Sequence, residues 1–303
     1  MGRQERRSPW LTDRRMAILF IAPSIILLLA ISIFPLIWSV YLSFTRYRVT
    51  GTHPPKWIGL DNYRNILTQN DPIYDVWHQF QVTAAIVVTA VGLEFLLGFG
   101  LALLLVRKFP GRGLLLTLML TPMMLAPVIV GLFWKFMLDA SFGVVNYMQS
   151  AWFHFPRVDY VNQPTSATVA IIMADVWMWT PFMLLISVAG LSAIPKYLTE
   201  AALVDRASAW FRFRHITLPL VWPLLLIALL FRTIDAIKLF DLPFTLTGGG
   251  PGDATQTISY TLYQKAFNDY DTGSASALAY IILIMVIALA NIYIRNLNKA
   301  AAA

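Results

Sequence analysis

Asp175 stands inside a long apolar stretch, and Met178, Trp179 and Phe182 follow it at three, four and seven residues. In a helix that spacing puts all four on one face. A carboxylate accepts hydrogen bonds from hydroxyls, and an indole covers the apolar face of a ring. The set therefore reads as a seat for a hydroxyl-rich ligand. The other reading is an interfacial tryptophan belt with Asp175 reaching outward. A later apolar stretch carries Arg232, Asp235 and Lys238, with Asp241 at its end, each three residues from the next and alternating in sign. Neighbours at i, i+3 can pair and lower the cost of burial. Arg232, Asp235, Ala236 and Leu239 share a face, and a rise of about 1.5 Å per residue from Leu218 puts the first two just past the middle of the membrane. Such charges either line a polar path or form an ion-pair ladder between helices. Glu94 has no partner in its own helix and is expected to pack inside the bundle.

Between these two stretches runs Glu200–Pro219, EAALVDRASAWFRFRHITLP. Glu200, Asp205, Arg206, Arg212, Arg214 and His215 would all need partners inside a bilayer. The segment reads as a helix–turn–helix on the membrane surface. There it is either gripped by another protein through its acidic start and aromatic second half, or rests on lipid headgroups. Thr247-Gly248-Gly249-Gly250-Pro251-Gly252 lies beyond the charged stretch. It reads as a plain turn or as a flexible lip, since glycine lets backbones approach closely. No phosphate-binding G-x-x-x-x-G-K-[ST] loop occurs. His53, His78, His154 and His215 are scattered, so no metal cluster is suggested. No catalytic constellation can be argued, and the chain is expected not to be an enzyme.

The elements that must carry these residues follow from composition. Apolar residues make up 58% of 303 and charged residues 13%, against about 25% charged in soluble domains. Mean hydropathy is +0.64. The chain reads as an all-α membrane protein, and its net charge of +7 belongs to topology-setting loops rather than to nucleic-acid binding. With no cysteine there is no disulfide framework. Six spans are expected: 16–44, 83–106, 114–138, 167–189, 218–239 and 275–294. The first is too long for the apolar core of a signal peptide, and Pro23 and Pro35 are candidate kinks. The segment 1–15 and the tail 295–303 flank a membrane domain over 16–294. The flanks and loops 1–15, 107–113, 190–217 and 295–303 hold 14 Lys and Arg, and the opposite loops hold 6. The positive-inside rule then places both termini and the Glu200 segment in the cytoplasm.

Glu200-Ala201-Ala202, three residues, a position usually glycine, nine residues, then Ile216-x-Leu218-Pro219 resembles the EAA loop of ATP-binding-cassette importer permeases. Trp177-x-x-Thr180-Pro181-Phe182, Ala189-Gly190-Leu191-x-x-Ile194-Pro195 and Phe240-Asp241 before the Gly-Gly-Pro loop are similar to the sugar-importer branch. The resemblance covers most of residues 10–295, with Arg206 standing where the family has glycine. It implies a six-helix type I importer fold in the cytoplasmic (inner) membrane and a di- or oligosaccharide substrate. It also implies a second permease, two cytoplasmic ATPases that bind ATP and Mg, and an extracytoplasmic solute-binding protein, with no cofactor in this chain.

In that reading the coupling loop 195–219 contacts an ATPase through Glu200, Ala201, Ala202, Asp205, Arg206, Ile216, Leu218 and Pro219. Gly249, Gly250 and Pro251, within 245–253, form an outer gate. Asp175, Met178, Trp179 and Phe182, with Arg232, Asp235, Ala236 and Leu239, line the solute path. Arg206 must either take a costly left-handed conformation or leave the turn more helical. A glycerol-3-phosphate or other phosphorylated solute is the alternative cargo. An ion-coupled secondary carrier and a lipid-linked transferase are the rival classes.

Overall fold

The computed structural model describes residues 13–71, 73–107 and 109–302. The basic segment 1–15 therefore lies outside them up to residue 12, as does Lys108. Helix α1 (Asp13–Leu28) runs through a five-residue π-turn into α2 (Phe34–Ser43). The turn sits where it does because Pro35 carries no N–H; Phe34 N–H reaches back five residues to Leu29 O instead. Thr45–Arg46 (β1) and Lys56–Trp57 (β2) form a short antiparallel ladder, followed by α3 (Asp61–Leu67). Helix α4 (Val76–Leu105) starts about two turns before the apolar run at residue 83, because the Asp75 side chain accepts from His78 N and caps it.

The expected third span, 114–138, is not one helix. It is α5 (Arg112–Leu120), a single 3₁₀ turn at Pro122–Met124, and α6 (Pro127–Met137). Pro122 and Pro127 each remove a backbone donor, and Ala126, before Pro127, is extended at φ −66°, ψ 135°. Helix α7 (Val144–Phe153) occupies the following loop, and α8 (Pro164–Ser192) opens with proline in its first turn. Then come α9 (Lys196–Val204), the single turn α10 (Ala209–Arg212), a π-turn at Phe213–Thr217, and α11 (Leu218–Ile237). The apolar helix thus runs unbroken from Ala209 to Ile237. Pro219 repeats the arrangement at Pro35: Leu218 N–H reaches back to Phe213 O. Helix α12 (Ile258–Tyr263) and a π-turn precede α13 (Thr272–Ala302), which carries the expected tail 295–303 as helix as far as Ala302.

Five of these helices are long and apolar enough to cross a membrane: Met16–Ser43, Val76–Leu105, Pro164–Ser192, Ala209–Ile237 and Thr272–Lys299. The sixth apolar segment is the one broken at residues 121–126. The chain is an all-α membrane protein, and among the described residues strand is confined to the two-residue β1 and β2.

The chain divides into two compact units, one of residues up to Asn65 with Lys265–Ile281, the other of Ile66–Gln264 with Ile282–Ala303. In the first, Asn62 Nδ2 donates to Ser43 O and Thr45 O, both at 2.9 Å, pinning the end of α2. Gly273 N donates to Tyr47 O, and a Cβ at Gly273 would lie 2.2 Å from Thr45 O, so only glycine fits. In the second unit α4, α8 and α11 pack together. A Cβ at Gly98 would fall 2.5 Å from Met183 Cβ, so glycine sets how closely α4 and α8 approach. Two apolar clusters hold this trio. One joins Ile86, Ala174 and Met178 to Leu242 and Leu246. The other joins Phe99 and Leu105 to Leu184, Leu191, Val221 and Leu225.

Candidate functional site

Between those two clusters, at the middle of the trio, lie three charges. Glu94 comes from α4, Asp175 from α8 and Arg232 from α11, and they are 0%, 0% and 2% exposed. Arg232 grips Glu94 with two prongs, Nε to Oε2 at 2.7 Å and Nη2 to Oε1 at 2.9 Å. Its Nη2 also donates to Asp175 Oδ2, and Nη1 lies 3.4 Å from Asp235 Oδ2. Fork-to-fork pairing of this kind is directional and strong. Asp175 Oδ1 is buried with no hydrogen-bond partner among the described residues. The guanidinium also lies over the Trp179 ring, 5.2 Å from its centroid.

Arg232 and Asp175 are thus each other's partners across helices, an ion-paired cluster rather than a row of free charges. A cleft of about 370 Å³ opens beside it, lined by Trp179, Phe182, Phe231, Arg232, Ile234, Asp235 and Lys238. Trp179 and Phe182 stand edge to face in it, 6.3 Å between centroids. The Asp235 side chain is half exposed, at 50%. Of the expected path residues, Trp179, Phe182, Arg232 and Asp235 therefore meet at one cleft. Asp175, Met178 and Ala236 do not line it; all three are buried, on the parts of α8 and α11 that pack against other helices. Leu239 packs against the apolar cluster around Leu242. Glu94 packs inside the bundle as its lone position in α4 implied, and what the sequence did not show is that its partner is Arg232, 138 residues on. Phe231, Ile234 and Lys238 were not expected in the cleft; Lys238 stood in the alternating-charge stretch, but nothing in the sequence set Phe231 or Ile234 apart from the other apolar residues of α11.

The Glu200 segment folds as a hairpin. Helix α9 ends in a Schellman turn: Ala207 N–H reaches Ala202 O at 2.9 Å and Arg206 N–H reaches Leu203 O at 3.1 Å. Arg206 occupies the left-handed position of that turn at φ 55°, so of the two alternatives it adopts the left-handed one. Ser208 caps α10 by accepting from Phe211 N. The tip exposes Leu203, Val204, Trp210 and Phe211, Val204 at 83%, alongside exposed Glu200, Ala201, Asp205 and Arg206. Ala202 is buried at the hairpin's inner face. Ile216 and Leu218 are half-buried and Pro219 is exposed.

The Gly-Gly-Pro loop is tied rather than loose. Thr247 Oγ1 and Thr255 Oγ1 lie 2.7 Å apart, Thr255 Oγ1 donates to Gly250 O, and Tyr260 OH donates to Gly248 O. Gly249, at φ 84°, has the Tyr260 ring against it so that a Cβ there would fall 2.7 Å from the ring. Of the two readings, plain turn or flexible lip, the loop takes the form of a packed corner stacked on Tyr260, with Pro251 at its turn.

The second unit thus combines a buried ion cluster, an aromatic cleft beside it and an exposed hairpin continuous with the helix that lines the cleft. Residues 94–302 match the family described as binding-protein-dependent transport system inner membrane component, and the chain belongs to that family. It is 38% identical over 286 residues to the trehalose/maltose transport system permease protein of Thermococcus litoralis, covering 93% of this chain and 94% of that one. It is 36% identical over 292 residues to the sulfoquinovosyl glycerol transport system permease protein of Agrobacterium fabrum, covering 96% and 93%. These relatives bear out the resemblance to permeases of sugar importers. A chain in the crystal structure of a bacterial alginate transporter, in complex with an alginate pentasaccharide-bound periplasmic protein, superposes with a TM-score of 0.80 at 22% identity, covering 93% of each chain. At that identity the likeness speaks for the fold.

Proposed function

We propose that the chain is one of two permease subunits of an ATP-driven importer for a di- or oligosaccharide, coupled to an ATPase through the hairpin at 196–219. The sugar-transport relatives support the substrate class, and the transporter of like fold is described in complex with an alginate pentasaccharide-bound periplasmic protein. The cleft suits the cargo. Trp179 and Phe182 offer ring faces, and Asp235 offers acceptor oxygens to hydroxyls. Four of the five N–H groups of Arg232 already point at carboxylates, which argues against a phosphorylated solute held by that guanidinium. Solute would pass in from a binding protein on the outer face, and ATP and Mg would be bound by the partner ATPases. The Lys and Arg distribution puts both termini and the hairpin in the cytoplasm.

The observation that carries the reading is the hairpin itself. An apolar tip edged by Glu200 and Asp205 is a docking knob, and it continues as one helix from Ala209 into the wall of the cleft. Closure of the ATPases would push the knob and tilt α11. The test is Glu200→Arg in the assembled importer. Loss of one such anchor, worth about 1.4 kcal/mol, lowers uptake about tenfold, while ATP hydrolysis continues and the permease stays in the membrane. Uptake at the unaltered rate would refute the coupling role.

A further inference from the structure

The last turns of α4 and α8 meet the first turns of α11 in an apolar cluster, which marks the level where α4 and α8 end. Beside it lies a second cleft, of about 500 Å³. Leu103 and Val106, at the end of α4, line it together with Leu191 and Ile194, at the end of α8. So do three cations, Arg107, Lys196 and Arg212, and one acid, Glu200. Among the described residues the ion pairs closer than 4.0 Å involve none of these four. Arg212 Nε is buried with no acceptor, a state that costs free energy unless something supplies one.

We propose that this cleft binds the phosphate of an anionic lipid headgroup. Phosphate oxygens supply the acceptor that Arg212 lacks and the negative charge that three cations against one acid call for. A free phosphate would satisfy the same cations. The apolar side chains from the ends of α4 and α8 favour a lipid, because they lie where acyl chains begin. Basic pockets between spanning helices are the usual seats of such headgroups. Glu200 stands on the same cleft, so a bound lipid would touch an acid of the hairpin.

The test uses the full-length chain in neutral detergent and native mass spectrometry. Dioleoylphosphatidylglycerol is offered against dioleoylphosphatidylcholine, then challenged with excess inorganic phosphate. The chain should retain the anionic lipid, and inorganic phosphate should leave it in place. Combining Arg107→Gln, Lys196→Gln and Arg212→Gln should weaken retention about fivefold for each charge removed. Arg212→Lys keeps the charge and should keep the preference, which separates charge from folding. Equal retention of the two lipids, or an unchanged preference in a folded triple variant, overturns the proposal. Displacement by inorganic phosphate overturns the lipid as the source. Loss of the lipid once the chain is purified within its assembled importer assigns the cations to a partner protein's acid, and overturns it as well.

Discussion

Arg232 ties three helices together through Glu94 and Asp175, and its burial decides what its loss would do. Removing one partner from a buried charge group leaves the others uncompensated, at about 3–5 kcal/mol. Arg232→Met should lower thermal stability in detergent by that order. The triple change Arg232→Met, Glu94→Leu, Asp175→Leu should recover most of the loss, because apolar packing often matches a buried ion pair. A triple variant no more stable than the single one would mean the cost lies in packing, not charge. Each of these side chains could be singled out from the sequence, since ionisable groups in apolar runs stand out. Their pairing could not be. Helical periodicity tells which residues share a face and is silent about which helix that face meets. That is why Asp175, Met178 and Ala236 were expected at the cleft and lie in the interior.

At the level of elements, the hairpin turn carries a strain that one substitution can relieve. A non-glycine residue in the left-handed region costs about 1–2 kcal/mol, and Arg206 sits there at φ 55°. Arg206→Gly should raise stability by about 1 kcal/mol after allowing for the greater freedom of glycine in the unfolded chain. It should also leave the two Schellman hydrogen bonds in place, a result readable from amide exchange at Arg206 and Ala207. No gain would mean the turn is held by its neighbours. The loop before α8 gives a pH counterpart. Hydrogen bonding from the Asn162 side chain holds Asp159 below its ordinary 3.8. A lowered native value stabilises the loop above the unfolded pKa, and that contribution fades as pH falls through the native one. Protection of the Asn162 amide, which donates to Asp159 Oδ1 at 3.1 Å, should persist at pH 4 and disappear at lower pH. Protection that held throughout the acid range would place the amide's partner elsewhere. Five spans and the hairpin were legible from hydropathy and charge. The break at residues 121–126 was not, because hydropathy sums over a window and does not register a missing N–H. Pro35 was a candidate kink, but the π-turn that precedes it, and the one before Pro219, escaped for the same reason.

Across the whole molecule, the exposed hairpin and the aromatic cleft lie on one rod. Counting about 1.5 Å per residue, Ala209 and Arg232 are about 34 Å apart along it. Trp179→Ala and Asp235→Asn should each lower uptake about tenfold, the scale of one lost ring or acceptor contact, while ATPase subunits still co-purify. Unchanged uptake in both variants would move the solute path to another face of the bundle. The membrane class and the family could be read from the chain alone, since the EAA pattern and the Gly-Gly-Pro run are local. The division into two units could not, because residues 265–281 join the first unit from far along the sequence.

The ion cluster also bears on how the protein is made. Arg232 and Asp235 lie in the last two turns of their helix, and in a lone helix each would resist entry into lipid, by up to the roughly 2.5–3.5 kcal/mol of a charge at a helix centre. Both buried acids lie earlier in the chain than the arginine. During synthesis the helix bearing Arg232 therefore emerges when its counter-ions are already in the bilayer, and a nascent chain lacking residues 76–192 should leave that helix stranded in the translocation channel or on the surface.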